Sequence, residues 1–285
     1  MPEGDTILLA ARGLDRALAG REVVRFESAF ARITRIAEDQ RVTGRTIESV
    51  TARGKHLLIA FSPLDAARAD RGTIGRSGGL VLRTHMRMNG SWHIYPTGAR
   101  WRRPWRDMRI LIATDRRVAV GFNVPVADLL TARALARHDD LRALGPDLLA
   151  DTFDRADAHR RMRDRPQDPI ADLLLDQRVV AGIGNVFKSE ILFLATIYPF
   201  TLASSVSDGQ FDELITIARR VMAVSVTVGR WTTRSSLNPA ERLRVYTSPM
   251  PPAPMSADRV YGPMRAGTVP EPMEEIGRDS TRGRA

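Results

Sequence analysis

Apolar residues first recur at helical spacing between Thr6 and Ala19. Ile7, Ala11, Leu14 and Leu18 share one side, which predicts an amphipathic helix over 6–19. Asp5 or Thr6 is placed to cap it and Gly20 to stop it. From Glu22 to about Phe122 the pattern changes to short apolar runs split by turn residues. Runs 23–26, 45–50, 56–61, 80–83, 91–95, 108–112 and 118–121 read as strands of an antiparallel sandwich or barrel. Two polar stretches interrupt them. Residues 62–79 read as a long exposed loop, and 97–107 is arginine-rich with Trp101 and Trp105. Arginine mixed with tryptophan suits nucleic acid, and a solvated basic loop fits equally well. A short helix over 126–137 is expected to lead out of the sheets, with 138–146 as a linker. Beyond it the period stays helical over 152–163, 169–177, 186–194 and 207–228, giving an all-α second region.

From Ser248 onward the chain is rich in Pro, Gly, Met and Arg and poor in large aliphatics, so a disordered or loosely held extension is expected. The expected architecture is α+β and multidomain. A β-sandwich domain covers 1–137, a helical domain 145–230, and an irregular region 231–285. The length of 285 residues and a 43% hydrophobic content agree with two cores.

Composition narrows the chemistry. There are no cysteines, which excludes disulfides, thiolate-bound zinc and cysteine nucleophiles. No apolar run is long enough to span a bilayer and no basic-then-apolar leader opens the chain, so a cytoplasmic protein without membrane contact is expected. A net charge of +10 and a pI near 11.0 point to a polyanionic partner. Lys55 and Lys188 are the only lysines among 43 Lys and Arg, so each marks a place where a compact, tunable ammonium serves better than guanidinium.

Met1-Pro2-Glu3-Gly4-Asp5 holds the most distinctive candidate chemistry. Loss of Met1 would leave Pro2 as a terminal secondary amine, and α-amino groups titrate near pH ~8. Such an amine can attack a carbon bearing a leaving group and form an iminium. Glu3 beside it could protonate that leaving group. Pro2 is also simply a common second residue, and Glu3 can be a first-turn filler. Farther on, Gly182-Ile183-Gly184-Asn185 opens a helix, where exposed N–H groups and the helix dipole form either a phosphate site or only a structural turn. Lys188 lies one turn beyond Asn185.

Six motifs in order now converge: Pro2-Glu3-Gly4, Arg53-Gly54-Lys55-His56-Leu57, His85 to Trp92, Gly145 to Leu149, Leu174 to Gln177, and Gly182 to Phe187. Over roughly residues 1–246 the chain resembles DNA glycosylase/AP lyases of the formamidopyrimidine-DNA glycosylase and endonuclease VIII family. The resemblance implies a β-sandwich followed by a helix–two-turn–helix domain, and damaged double-stranded DNA bound by a monomer. It implies Pro2 as nucleophile, Glu3 as acid/base and Lys55 as a contact to the phosphates flanking the lesion. Asn185 matches the phosphate-binding asparagine of the helix–two-turn–helix motif, with Gly184 and Lys188 as further DNA-binding candidates beside it. Met88 falls where the family inserts an apolar wedge into the stack, though a core methionine on a strand is an equal reading, and Phe122 is a further void-filling candidate. Pro-Glu-Gly is similar to the endonuclease VIII branch, which implies oxidised pyrimidines; 8-oxoguanine is the alternative. The chain departs from the family after Tyr246, where a four-cysteine zinc finger would begin. No cysteine follows, so no zinc cofactor is expected, and Arg259, Arg265 and Arg278 are the candidates to replace the finger's arginine. A rival of another class is a lesion-binding protein that cleaves poorly.

Overall fold

The helical spacing at the amino terminus produces α1 (Gly4–Leu18), whose predicted stripe of Ile7, Ala11, Leu14 and Leu18 is fully buried. The protein is described here by a computed structural model covering residues 2–64, 78–229 and Leu243. Most of the 62–79 loop and all of 244–285, with Arg259, Arg265 and Arg278, lie outside the described residues. Helix α1 ends where expected, with Gly20 in the left-handed region at φ +75°. Its cap differs from expectation. Glu3, and not Asp5 or Thr6, is the capping residue, and its side chain makes no bond to its own helix.

After α1 come β1 (Arg25–Ser28), α2 (Ala31–Asp39), β2 (Ile47–Arg53), β3 (His56–Phe61), β4 (Leu80–His85), β5 (Ser91–Pro96), β6 (Met108–Ala113), β7 (Arg117–Phe122) and β8 (Val126–Thr131). They form two antiparallel four-stranded sheets, ordered β1-β6-β7-β5 and β2-β3-β4-β8. One core joins α1 to both sheets. Leu57, Ile59 and Phe61 of β3, Leu82 of β4, and Ile110 and Ile112 of β6 meet the α1 stripe there. Burying each such side chain contributes roughly 1.5–3 kcal/mol before entropy is counted. Alternation sends Leu111, Val120 and Phe122 to the other face of the first sheet, where Tyr95, Met108 and Trp101 cover them.

Two expectations fail. Helix α2 falls inside the region read as strands; at nine residues, burying only Ile33, it is too short for its period to stand out. Residues 126–131, read as helix, form the edge strand β8, because β4 offers an open edge that pairs with them from Leu80↔Thr131 to His85↔Val126. Only α3 (Ala132–Ala136) of that helix remains. Tertiary pairing overrides a weak local preference here.

The rest is helical: α4 (Asp139–Arg142), α5 (Arg155–Arg163), α6 (Ile170–Leu175), α7 (Asn185–Leu194) and α8 (Asp208–Val228). Their core gathers Leu173, Leu174, Ile183, Phe187, Phe211 and Leu214. Helix α8 carries its own punctuation, a reciprocal Ser207–Gln210 capping box and Gly229 at φ +74°. No helix among the described residues is long and apolar enough to cross a membrane.

Candidate active site

The site begins with the entry of the chain into α1. The Gly4 N–H donates to the Gly182 carbonyl at 2.9 Å, and a side chain on Gly4 would place Cβ 2.9 Å from Gly182 Cα. Gly182 itself sits at φ +112°, which disfavours any other residue. The turn holding Gly182 is set by Gln177. Its Nε2 donates to the Leu175 and Ile183 carbonyls, and its Oε1 accepts the Gly182 N–H at 2.9 Å. On the other side of α1, the Ser225 hydroxyl of α8 donates to the buried Asp5 carboxylate.

These close contacts drive Glu3 into the start of α7. Its fully buried carboxylate accepts N–H bonds from Gly184 at 2.9 Å, Val186 at 2.8 Å and Phe187 at 3.2 Å. The positive end of the α7 dipole adds to their attraction. A Cβ on Gly184 would come within 2.4 Å of Glu3 Cδ, so the glycine is there for the carboxylate. Hence the backbone N–H groups of Gly184, Val186 and Phe187 hold the chain's own Glu3. Burial raises the Glu3 pKa, against the lowering effect of these N–H bonds and of Lys55. A carboxyl so placed can hold or deliver a proton nearer neutrality than a surface glutamate can. Pro2, one residue before it, is half-buried.

Lys55 comes to the same place from the sandwich. It lies in the β2–β3 turn after Gly54, which sits at φ +57° and donates its N–H to Asp147 Oδ2 at 2.6 Å. Asp147 Oδ1 accepts the Leu149 N–H, so one carboxylate fixes the Lys55 turn to the helical region. Burial lowers the Lys55 ammonium pKa and Glu3 opposes that. Beside it, His56 and His85 pack edge to face with centroids 4.9 Å apart. Burial first, then nearby cations, holds His56 at about 3 and His85 at about 4, so both stay neutral near pH 7. On α7, the nearly buried Lys188 donates to Asn185 Oδ1 at 3.5 Å, and burial lowers its pKa while Asp172 and Glu3 oppose. Pro2, Glu3, Gly184, Asn185 and the two lysines therefore form one locus drawn from both regions.

The remaining two candidates separate. Met88 stands 64% exposed on the β4–β5 turn, lifted by Arg87 at φ +48° and by the close approach of Gly90 to Met86, so it is no core methionine. It lines an open groove of about 980 Å³ with Arg87, Asn89, Arg103, Arg109 and Asn123. Phe122 is fully buried beneath Trp101 and His93 and has no surface to offer DNA. The alternation of β7 decides this, since an even-numbered neighbour of Val120 must share its covered face. Sequence reasoning passed over Asp147 and Gln177 as individual residues. Their signal was only membership in short motifs, because their work is done on backbone atoms.

Both regions of the chain match known proteins. Residues 1–125 match the family profile described as the formamidopyrimidine-DNA glycosylase N-terminal domain, and 144–236 match the formamidopyrimidine-DNA glycosylase H2TH domain. A Streptomyces coelicolor protein named "Probable endonuclease 8 2" is 37% identical, over 78% of this chain and 73% of its own. "Endonuclease 8 2" of Mycobacterium tuberculosis is 34% identical over 86% and 88%. In fold, the chain is similar to Lactococcus lactis Fpg solved with DNA containing N7-benzyl-Fapy-dG, with a TM-score of 0.66 and 20% identity over 83% of each chain.

Proposed function

The chain belongs to the formamidopyrimidine-DNA glycosylase and endonuclease VIII family, and from that premise we propose a base-excision-repair glycosylase and AP lyase that removes oxidised bases through Pro2. With Met1 removed, the Pro2 nitrogen attacks C1′ of the damaged nucleotide. The glycosidic bond breaks and its electron pair leaves with the base, which takes up a proton. Opening of the sugar ring gives an iminium between Pro2 and C1′, with Glu3 exchanging the proton at the ring oxygen. The iminium acidifies C2′–H; loss of that proton expels the 3′ phosphate, and water then returns the free amine. Lys55 and Asn185 bind the flanking phosphates, and Met88 fills the gap left by the extruded nucleotide.

The observation that carries this reading is the burial of Glu3 across the start of α7, which fixes the residue next to Pro2 within the charge of Lys55 and Lys188. Oxidised pyrimidines are favoured over 8-oxoguanine by Pro2-Glu3-Gly4 and by the relatives named as endonuclease 8. Zinc does not fit this sequence. It has no cysteine, and all five histidines (His56, His85, His93, His138 and His159) precede Tyr246, so no step is routed through a metal.

Borohydride reduction on abasic duplex DNA tests the proposal, since only an iminium becomes a covalent adduct. Wild type should trap efficiently and Pro2→Gly, whose terminal primary amine can still condense with the abasic aldehyde, only weakly; equal trapping by both would remove Pro2 from the mechanism. Duplexes carrying thymine glycol or 8-oxoguanine rank the substrates, and faster release of 8-oxoguanine would reverse the preference.

A further inference from the structure

The loop between β5 and β6 does more than cover a sheet. Tyr95, Trp101 and Trp105 form a column of rings, with Tyr95 and Trp101 centroids 6.4 Å apart at 26° and Trp101 and Trp105 4.7 Å apart at 6°. The inner members are anchored: Tyr95 is buried, and Trp101 meets Phe122 edge to face at 5.7 Å. The outer member is not. Trp105 is 56% exposed, an unusual place for an indole already stacked on one side. Around it stand Arg100, Arg102, Arg103 and Arg106, all exposed. Among the described residues, only Arg106 of these four meets a carboxylate, Asp107 at 4.0 Å.

A protein partner would call for an apolar patch with a mixed polar rim; a single open ring among uncompensated guanidiniums is complementary instead to a base joined to phosphates. The position agrees. Arg103 lines both the groove beside Trp101 and Trp105 and the larger groove that holds Met88, so it joins the column to the wedge residue's groove. In a paired duplex both faces of every internal base are already stacked. We infer that Trp105 extends its ring column onto an unpaired base of single-stranded DNA next to the lesion site, with Arg100, Arg102 and Arg103 holding the adjoining phosphates. The inference rests on reading the chain as a DNA-acting protein. It adds a preference for lesions that lie beside unpaired bases, as in bubbles or single-strand junctions.

Binding of the full chain to a fluorescent single-stranded oligothymidylate and to an undamaged duplex of equal length, followed by anisotropy, tests it. Trp105→Ala should weaken the single-stranded complex by about tenfold, the scale of one lost base–ring stack, and the duplex complex by less than about twofold. Trp105→Phe, which keeps a ring, should stay within about threefold of wild type. An equal loss on both DNAs, no loss on either, or a Phe variant as weak as the Ala variant would overturn the proposal. Borohydride trapping on abasic duplex, run on the same three proteins, keeps the two readings apart. Trapping without a single-strand effect removes only this platform, and a single-strand effect without trapping leaves the platform and removes the enzyme.

Discussion

At Glu3 a carboxylate is fully buried with three backbone N–H groups converging on it, whereas at Trp105 a large apolar ring stands 56% exposed among arginines. The first arrangement places charge where water is absent and fixes it from both regions of the chain. The second places apolar surface where water is abundant and leaves it open. Chemistry on one carbon needs the former, because a general acid displaced by an ångström loses its reach. Contact with a flexible strand tolerates the latter, because every base has a face to stack. The contrast also separates two kinds of substitution, those that disturb geometry and those that disturb only binding.

The sharpest way to break the contrast is at Pro2. Pro2→Gly should sharply reduce covalent trapping on abasic DNA while leaving the melting temperature unchanged, because Pro2 is half-buried and carries no core. Acid comes next, and it acts on two histidines. His56 and His85 have pKa values lowered from 6.5, to about 3 and about 4. Groups depressed in this way stabilise the fold above pH 6.5, and that stability drains as the pH falls toward 4. Thermal melts from pH 7 to 4 should therefore fall more steeply in wild type than in His56→Leu, and parallel curves would show that His56 is not held neutral.

Phe122→Ala follows, with an expected loss of about 3–5 kcal/mol in denaturant unfolding, since the ring is fully buried under Trp101 and His93. An unchanged stability with impaired lesion binding would return Phe122 to the DNA surface. Gly184→Ala should cost roughly 1–3 kcal/mol, because its Cβ meets Glu3 Cδ at 2.4 Å and the carboxylate must move. Its trapping rate should fall with the stability, and a variant as active as wild type would show that the position of Glu3 is not critical. The exposed side should lose little stability. Met88→Ala, at 64% exposure, should leave unfolding within about 0.5 kcal/mol of wild type and weaken only lesion-containing duplex. A large drop in stability would make Met88 structural after all.

What the sequence determined by itself was everything that repeats locally. The α1 stripe of Ile7, Ala11, Leu14 and Leu18, the span of α8 and most strand cores follow from period and punctuation, because each depends on neighbours a few residues away. The motifs around Pro2, Lys55 and Asn185 were legible as well, as residue types in order. Only the tertiary structure decided what fills the α7 cradle, since Glu3 and Gly184 are brought together across 181 positions of chain. It likewise decided that 126–131 pairs with β4, that Phe122 faces inward and that Trp105 faces out. Each of these turns on which edge or face is left uncovered after the chain has packed, and no local window of sequence carries that information.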